Sequence, residues 1–326
     1  MNRKRRIFLQ NYKRDVTIDI LRGLAVLFMV CGNLPTVLSV EPYPFWLVLY
    51  NAWAAPLFIV IAGMMVAFTT QTKGHKLKYF LARGILLIIV GALIEVIIFK
   101  SNPFMFFQIL YLIGTSLPIA YLFSRLNAFS QWLTVISLFS FTPLLQEFLK
   151  YTDYVVHRLI VDGWFPIFPW LGFSLLGVNL ANLRWKYKSP IMLKRNVTFL
   201  IGVTILTLGG ITWWLTFYYY SWPSIGFVIS AIGVILILFS IVDYKPSLII
   251  YKPLQVLGES SLFMYILHLF LIRWIIAGIW LEVDLQTFLL IYIVMSFFMI
   301  AVAYGLRVLK AKWRSRPFII RFLLGS

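Results

Sequence analysis

Residues 17–39 read TIDILRGLAVLFMVCGNLPTVLS, and this run decides the fold. It carries two charges, Asp19 and Arg22, close to its start, and the rest is mainly apolar. A helix rises 1.5 Å per residue, so about 20 apolar residues cross the hydrocarbon core of a bilayer. Ahead of the run stand Arg3, Lys4, Arg5, Arg6, Lys13 and Arg14. A removable secretory signal has an apolar region of about 7–15 residues. This run is longer, so it reads as a first span that stays in the membrane.

Working outward, similar runs recur at 45–70, 80–99, 104–124, 131–147, 164–183, 197–218, 224–243, 258–279 and 286–306. The expected fold is an all-α integral membrane protein of about ten transmembrane helices in one bundle. Composition agrees: 61% of the 326 residues are hydrophobic and 12% charged, far from the roughly one quarter charged of a soluble domain. No polar low-complexity stretch divides the chain. It reads as a basic segment over 1–16, a membrane domain over 17–306 and a basic tail over 307–326.

The net charge of +18 would suggest nucleic acid in a soluble protein. Here the basic residues fall in short tracts between apolar runs, so no nucleic-acid partner is expected. With the N-terminus inside, 25 of the 29 Lys and Arg residues fall on the cytoplasmic side. Lys100, Lys150, Arg158 and Arg273 are left outside. That asymmetry follows the positive-inside rule and places both termini in the cytoplasm. The cluster Tyr218-Tyr219-Tyr220-Ser221-Trp222 then falls at an outer interface, where aromatic belts sit. The basic residues from Arg307 to Arg321 are expected on anionic lipid headgroups. The default location is the cytoplasmic membrane.

Polar residues inside apolar runs are costly in lipid and are candidates for function. Asp19 and Arg22 are three residues apart and share a helix face. They read either as a structural ion pair or as an arginine offered to a phosphate from the cytoplasm. Lys76, Lys78 and Arg83 are ordinary cytoplasmic charge or part of an anion site. Asn33 lies about 21 Å beyond Asp19 along the first helix. Glu95 closes the third run and Gln108 falls in the fourth. His268 is at mid-membrane in the ninth, with Tyr265 and Ser261 on the same face. It is a satisfied core imidazole or a general base. His75 and His157 fall in loops and read as solvated. Asp162, before Pro166 and Pro169, either caps a helix or holds an acceptor. The single cysteine, Cys31, excludes an intrachain disulfide and reads as a buried thiol. No phosphate-binding glycine loop, metal-ligand spacing or serine elbow is present, so neither ATP-driven transport nor a bound metal is expected.

The segment Ile18-Asp19-Ile20-Leu21-Arg22-Gly23-Leu24-Ala25, followed by Met29-Val30 and Asn33, resembles the first span of the heparan-alpha-glucosaminide N-acetyltransferase family. Pro56 to Gly63, Phe80-Leu81-Ala82-Arg83-Gly84, Gln108 to Gly114 and Asp162 to Gly177 are similar to its later spans. Leu257-Gly258-Glu259-Ser260-Ser261-Leu262, Tyr265 and His268 resemble a signature shared with bacterial envelope O-acyltransferases. The resemblance implies acyl-CoA, acetyl-CoA above all, taken from the cytoplasm. Arg22, Arg83 and Lys78 would help hold it, and an acceptor sugar would be met on the far side. One departure stands out. The family has a histidine and then an aspartate in the outer stretch between spans one and two. Residues 39–56 here contain neither.

The expected activity is transfer of a short acyl group, acetyl above all, to an envelope glycan or other extracytoplasmic acceptor, with His268, Asn33 and Asp162 as the catalytic candidates. Alternative readings are a transporter or channel for a small or amphiphilic solute, and a scaffold or sensor derived from an acyltransferase. Membrane lipids and a homodimer complete the expected partners.

Overall fold

The computed structural model describes residues 15–40, 43–149, 157–215, 224–279, 282–313, 315 and 317–325. The N-terminal basic cluster, the aromatic cluster at 218–222, Lys150, Arg314 and Arg316 lie outside them, as does the side chain of Asp162. Among the described residues the chain is helical apart from one isolated β-bridge, Ser39 with Glu282. Eight helices among the described residues are long and apolar enough to cross a membrane, which makes this a multi-pass membrane protein.

The contacts divide the chain into two compact bodies. One holds residues 58–241. The other holds residues 15–57 and those from 242 onward.

The discontinuous body contains α1 (Val16–Asn33), α2 (Phe45–Ala52), α10 (Lys252–Gly258), α11 (Ser261–Phe270), α12 (Leu285–Lys312) and α13 (Phe318–Leu324). Asp15 opens α1 by accepting from the Thr17 amide at 3.1 Å, a standard N-cap. The Thr17 hydroxyl donates to Asp243 at 2.6 Å. Helix α10 lies against α1 at backbone distance. A Cβ on Gly23 would run into the carbonyl of Leu254, and one on Gly258 into the carbonyl of Asp19. Small residues at such crossings let backbones approach where lipid supplies no hydrophobic drive. After α10 the chain turns through Glu259 and Ser260 and starts α11, which carries His268. The Lys310 ammonium, from α12, donates to the Glu259 carbonyl at 3.2 Å, the Ser260 hydroxyl at 2.8 Å and the Leu324 carbonyl at 3.1 Å.

The continuous body contains α4 (Leu77–Ile97), α5 (Ile109–Phe123), α6 (Ala128–Leu149), α7 (Ile167–Ala181) and α8 (Arg195–Leu215). Most of α3 (Ala54–Lys73) and of α9 (Ile225–Tyr244) also belongs to it. The core centres on α7, buried continuously from Pro169 to Ala181. A ladder of amides is held inside. Gln71 donates to Asn182 at 3.0 Å, Asn182 to Gln131 at 3.1 Å, and Gln131 to the carbonyls of Phe123 and Leu126.

The runs at 104–124 and 164–183 form helices of 15 residues each, shorter than the runs themselves. The cause at α5 is Glu95, which is fully buried. Its carboxylate accepts from the Tyr111 hydroxyl at 3.0 Å and from the amides of Met105 and Phe106 at 3.2 and 3.3 Å. These bonds hold residues 101–108 as a loop, with Phe104 and Phe107 at positive φ. Gln108 therefore precedes the helix instead of lying within it, and its amide donates to the Gly91 carbonyl at 2.7 Å.

Glu95→Ala is expected to lower the melting temperature in detergent clearly, and Glu95→Gln less, since Gln keeps one acceptor oxygen. Each donor left buried without a partner costs about 1–3 kcal/mol. A Glu95→Ala melt equal to the parent's would refute this anchoring role.

Candidate active site

Asn33 closes α1 and His268 lies two turns into α11. They are 235 positions apart, and their side chains meet: Asn33 Nδ2 is 3.0 Å from His268 Nε2. His268 is 0% exposed. Its Nδ1 lies 3.2 Å from the Met264 carbonyl, one turn back on the same helix. A carbonyl can only accept, so Nδ1 carries the ring proton. An amide nitrogen can only donate, so Nε2 presents its lone pair to Asn33. The helix thus holds the ring in one tautomer and aims its basic nitrogen at the end of α1. Orienting a histidine through its second nitrogen is how acid–base sites select the reactive one. The Tyr265 ring packs against the imidazole with centroids 5.3 Å apart.

More polar groups collect in the same body. Asn51 Nδ2 donates to the Tyr43 hydroxyl at 3.2 Å. Burial, with Cys31 adding to it, pushes the Tyr43 phenol up to about 12, so it stays protonated at physiological pH. The hydroxyls of Tyr50 and Tyr292 lie 2.8 Å apart. Cys31 is buried and free, as its position in an apolar run suggests.

The structure places the expected anion-binding residues as follows. Arg22 pairs with Asp19 at 3.6 Å; Asp19 is 2% exposed and Arg22 23%. The ion-pair reading of their spacing therefore holds. The pair also restrains the guanidinium, which keeps part of its surface open. Arg83 donates to the Tyr79 hydroxyl at 3.1 Å. The His75 ring stacks on that of Tyr79, with centroids 3.8 Å apart. His75 is thus half-buried, not fully solvated. Burial, reinforced by Lys73 and Arg83, lowers its pKa from the ordinary imidazole value. At neutral pH it is an uncharged aromatic face. Lys78 is exposed. The backbone of Asp162 ends a wide helical turn, Arg158–Asp162. Arg22 belongs to the body that holds Asn33 and His268, whereas Lys78, Arg83 and Asp162 belong to the other.

Sequence reading passed over Asn51 and Tyr43. The signal was present: an asparagine inside the second apolar run, close to its outer end. What pointed away from it was the absence of any charge there.

A helical membrane protein with a buried, oriented imidazole at one helix end is a polytopic protein with an intramembrane polar centre. Its lineage is specific. The pattern of heparan-alpha-glucosaminide N-acetyltransferase, catalytic, matches residues 14–221, and the chain belongs to that family. These are membrane acetyltransferases that use acetyl-CoA. The match includes Arg22, Asn33, Lys78, Arg83 and Asp162, while His268 lies beyond it. No curated protein matches the chain.

Proposed function

We propose that the chain transfers an acetyl group from cytoplasmic acetyl-CoA to a hydroxyl or amine of an extracytoplasmic acceptor, an envelope glycan being the leading class. The observation that carries this reading is the Asn33–His268 hydrogen bond, which aims a basic nitrogen at an amide donor in a water-poor setting. In the reaction the acceptor takes Asn33's place at Nε2. Its proton passes to Nε2 as its oxygen or nitrogen bonds to the thioester carbon. The released Asn33 amide donates to the carbonyl oxygen, which becomes an oxyanion. The C–S bond then breaks, and the CoA sulfur takes the proton held by the imidazolium. Excluding bulk water protects the thioester from hydrolysis.

Positive charge for the CoA phosphates is available at Arg22 in one body and at Arg83 and Lys78 in the other, and a planar guanidinium suits two phosphate oxygens at once. Asp162, also in the second body, is a separate candidate for meeting the acceptor. Residues 17–306 act as the transferase domain, between basic segments at 1–16 and 307–326. The orientation that follows from the distribution of Lys and Arg has both termini in the cytoplasm. The two 15-residue helices, Ile109–Phe123 and Ile167–Ala181, then bring the number of spans to about ten, in the cytoplasmic membrane.

The direct test is radiolabelled acetyl transfer from acetyl-CoA by the purified protein in proteoliposomes, with amino sugars and polyols as acceptors. Label in the acceptor fraction supports the reading. Solute flux that needs no CoA, with no transfer, favours a transporter.

A further inference from the structure

Basic residues from Arg307 onward suit lipid headgroups, yet two of them turn inward. Arg307 pairs with the Glu259 carboxylate at 3.4 Å. The Lys310 ammonium donates to the Glu259 carbonyl, the Ser260 hydroxyl and the Leu324 carbonyl. The first two belong to the turn that ends α10 and starts α11, and the third lies on the last residue of α13. Gly325 reaches the same turn. Its φ is 72°, and a Cβ on it would stand 2.5 Å from the Glu259 carbonyl oxygen. Helix α13 is thus strapped by its end to the turn from which the helix of His268 begins.

The opposite side of α13 is open. Phe322 and Leu324 are buried, while Phe318 is 53% and Ile319 61% exposed. Arg321 on α13 and Lys312 at the end of α12 are exposed as well. What meets these side chains follows from where α12 ends. At 1.5 Å per residue its 28 residues span about 42 Å, and the hydrocarbon core of a bilayer is about 30 Å thick. The last turns of α12 therefore reach the headgroup zone. Trp313, a residue type enriched at that depth, follows at once and is exposed. A short helix there with apolar side chains outward and basic ones among them has the make-up of an interfacial helix.

We propose that α13 binds the surface of an anionic bilayer, with Phe318 and Ile319 at the acyl boundary and Arg321 and Lys312 on the headgroups, and that Lys310 passes this contact to the turn at Glu259 and Ser260. Anionic lipid holds the strap down and steadies the start of the His268 helix, and a neutral surface leaves it looser. Lys310 is a positioning residue: it acts on the backbone from which α11 starts. The inference stands apart from the transfer reaction, and its test needs no substrate.

The experiment places the protein in nanodiscs of phosphatidylcholine, alone or mixed with phosphatidylglycerol. An environment-sensitive fluorophore on Ile319→Cys reports the surface, since Cys31 is buried. Hydrogen exchange over residues 256–266 reports the turn. In the anionic disc the fluorophore is expected to emit at shorter wavelength. Exchange at the turn should slow about fivefold or more, the worth of one basic residue at an anionic surface. Lys310→Met, which keeps the stem and removes the donors, should retain the fluorescence shift and lose the exchange response. Lys312→Gln with Arg321→Gln, both on exposed side chains, should weaken the two responses together. Exchange in the parent that ignores lipid charge overturns the proposal, as does a fluorophore equally wet in both discs. A Lys310→Met protein that responds like the parent overturns the role of Lys310. If Lys310→Met does not insert, the double glutamine variant decides, and parent-like responses from it overturn the proposal.

Discussion

His268→Ala is expected to insert, bind acetyl-CoA and transfer acetyl groups about 10²–10⁴-fold more slowly than the parent, the usual contribution of a positioned general base. The ring is fully buried, and its tautomer is set by the Met264 carbonyl. Its removal therefore deletes the one nitrogen aimed at Asn33. Asn33→Ala should also be slow, because the oxyanion loses its donor. The double variant should be little worse than the slower single one, since groups acting as a unit are not additive. Added imidazole should restore part of the activity of His268→Ala and none of that of Asn33→Ala. Full activity in an inserted His268→Ala protein would remove the histidine from the mechanism.

The second large effect concerns the donor. Acetyl-CoA and CoA are expected to raise the melting temperature of the purified protein, and unrelated nucleotides are not. A ligand that binds only the folded state stabilises it by about 2.7 kcal/mol at a hundredfold excess over its Kd. Arg22→Ala and Arg83→Ala should each weaken CoA about 10- to 100-fold, since a hydrogen bond to a charged group is worth about 1.5–3 kcal/mol. Both guanidiniums are already oriented, Arg22 by Asp19 and Arg83 by Tyr79. Arg22→Lys should recover only part of the response, because a point charge cannot reproduce the planar fork. Unchanged CoA responses in both alanine variants would move the phosphate site elsewhere. The absence of any CoA response from the parent at millimolar concentration would argue against CoA-dependent transfer.

Much of the architecture was legible along the chain. Each apolar run is a local sum, and in lipid a helix satisfies its own backbone without help from distant residues. The runs at 17–39, 80–99, 197–218 and 224–243 therefore have counterparts in α1, α4, α8 and α9, with ends shifted by a few residues. The family was legible too, because its first-span pattern from Ile18 to Asn33 is contiguous. Helical spacing put Asp19 and Arg22 on one face, and the structure shows them paired.

What the chain alone left open is what depends on partners far away in sequence. His268 had two readings until Asn33, 235 residues earlier, was seen at its Nε2. Glu95 gives no local sign that it would gather Tyr111 and two backbone amides and shorten α5 to begin at Ile109. Asn51 lies in an apolar run, and only the packing on Gly32 and the bond to Tyr43 show where its amide sits. The physical reason is one of range. Whether a segment enters the membrane is decided by its own hydropathy, residue by residue. Which donor meets which acceptor inside is decided by how the helices pack, because a buried polar group takes its partner from whatever backbone or side chain the fold brings within about 3 Å.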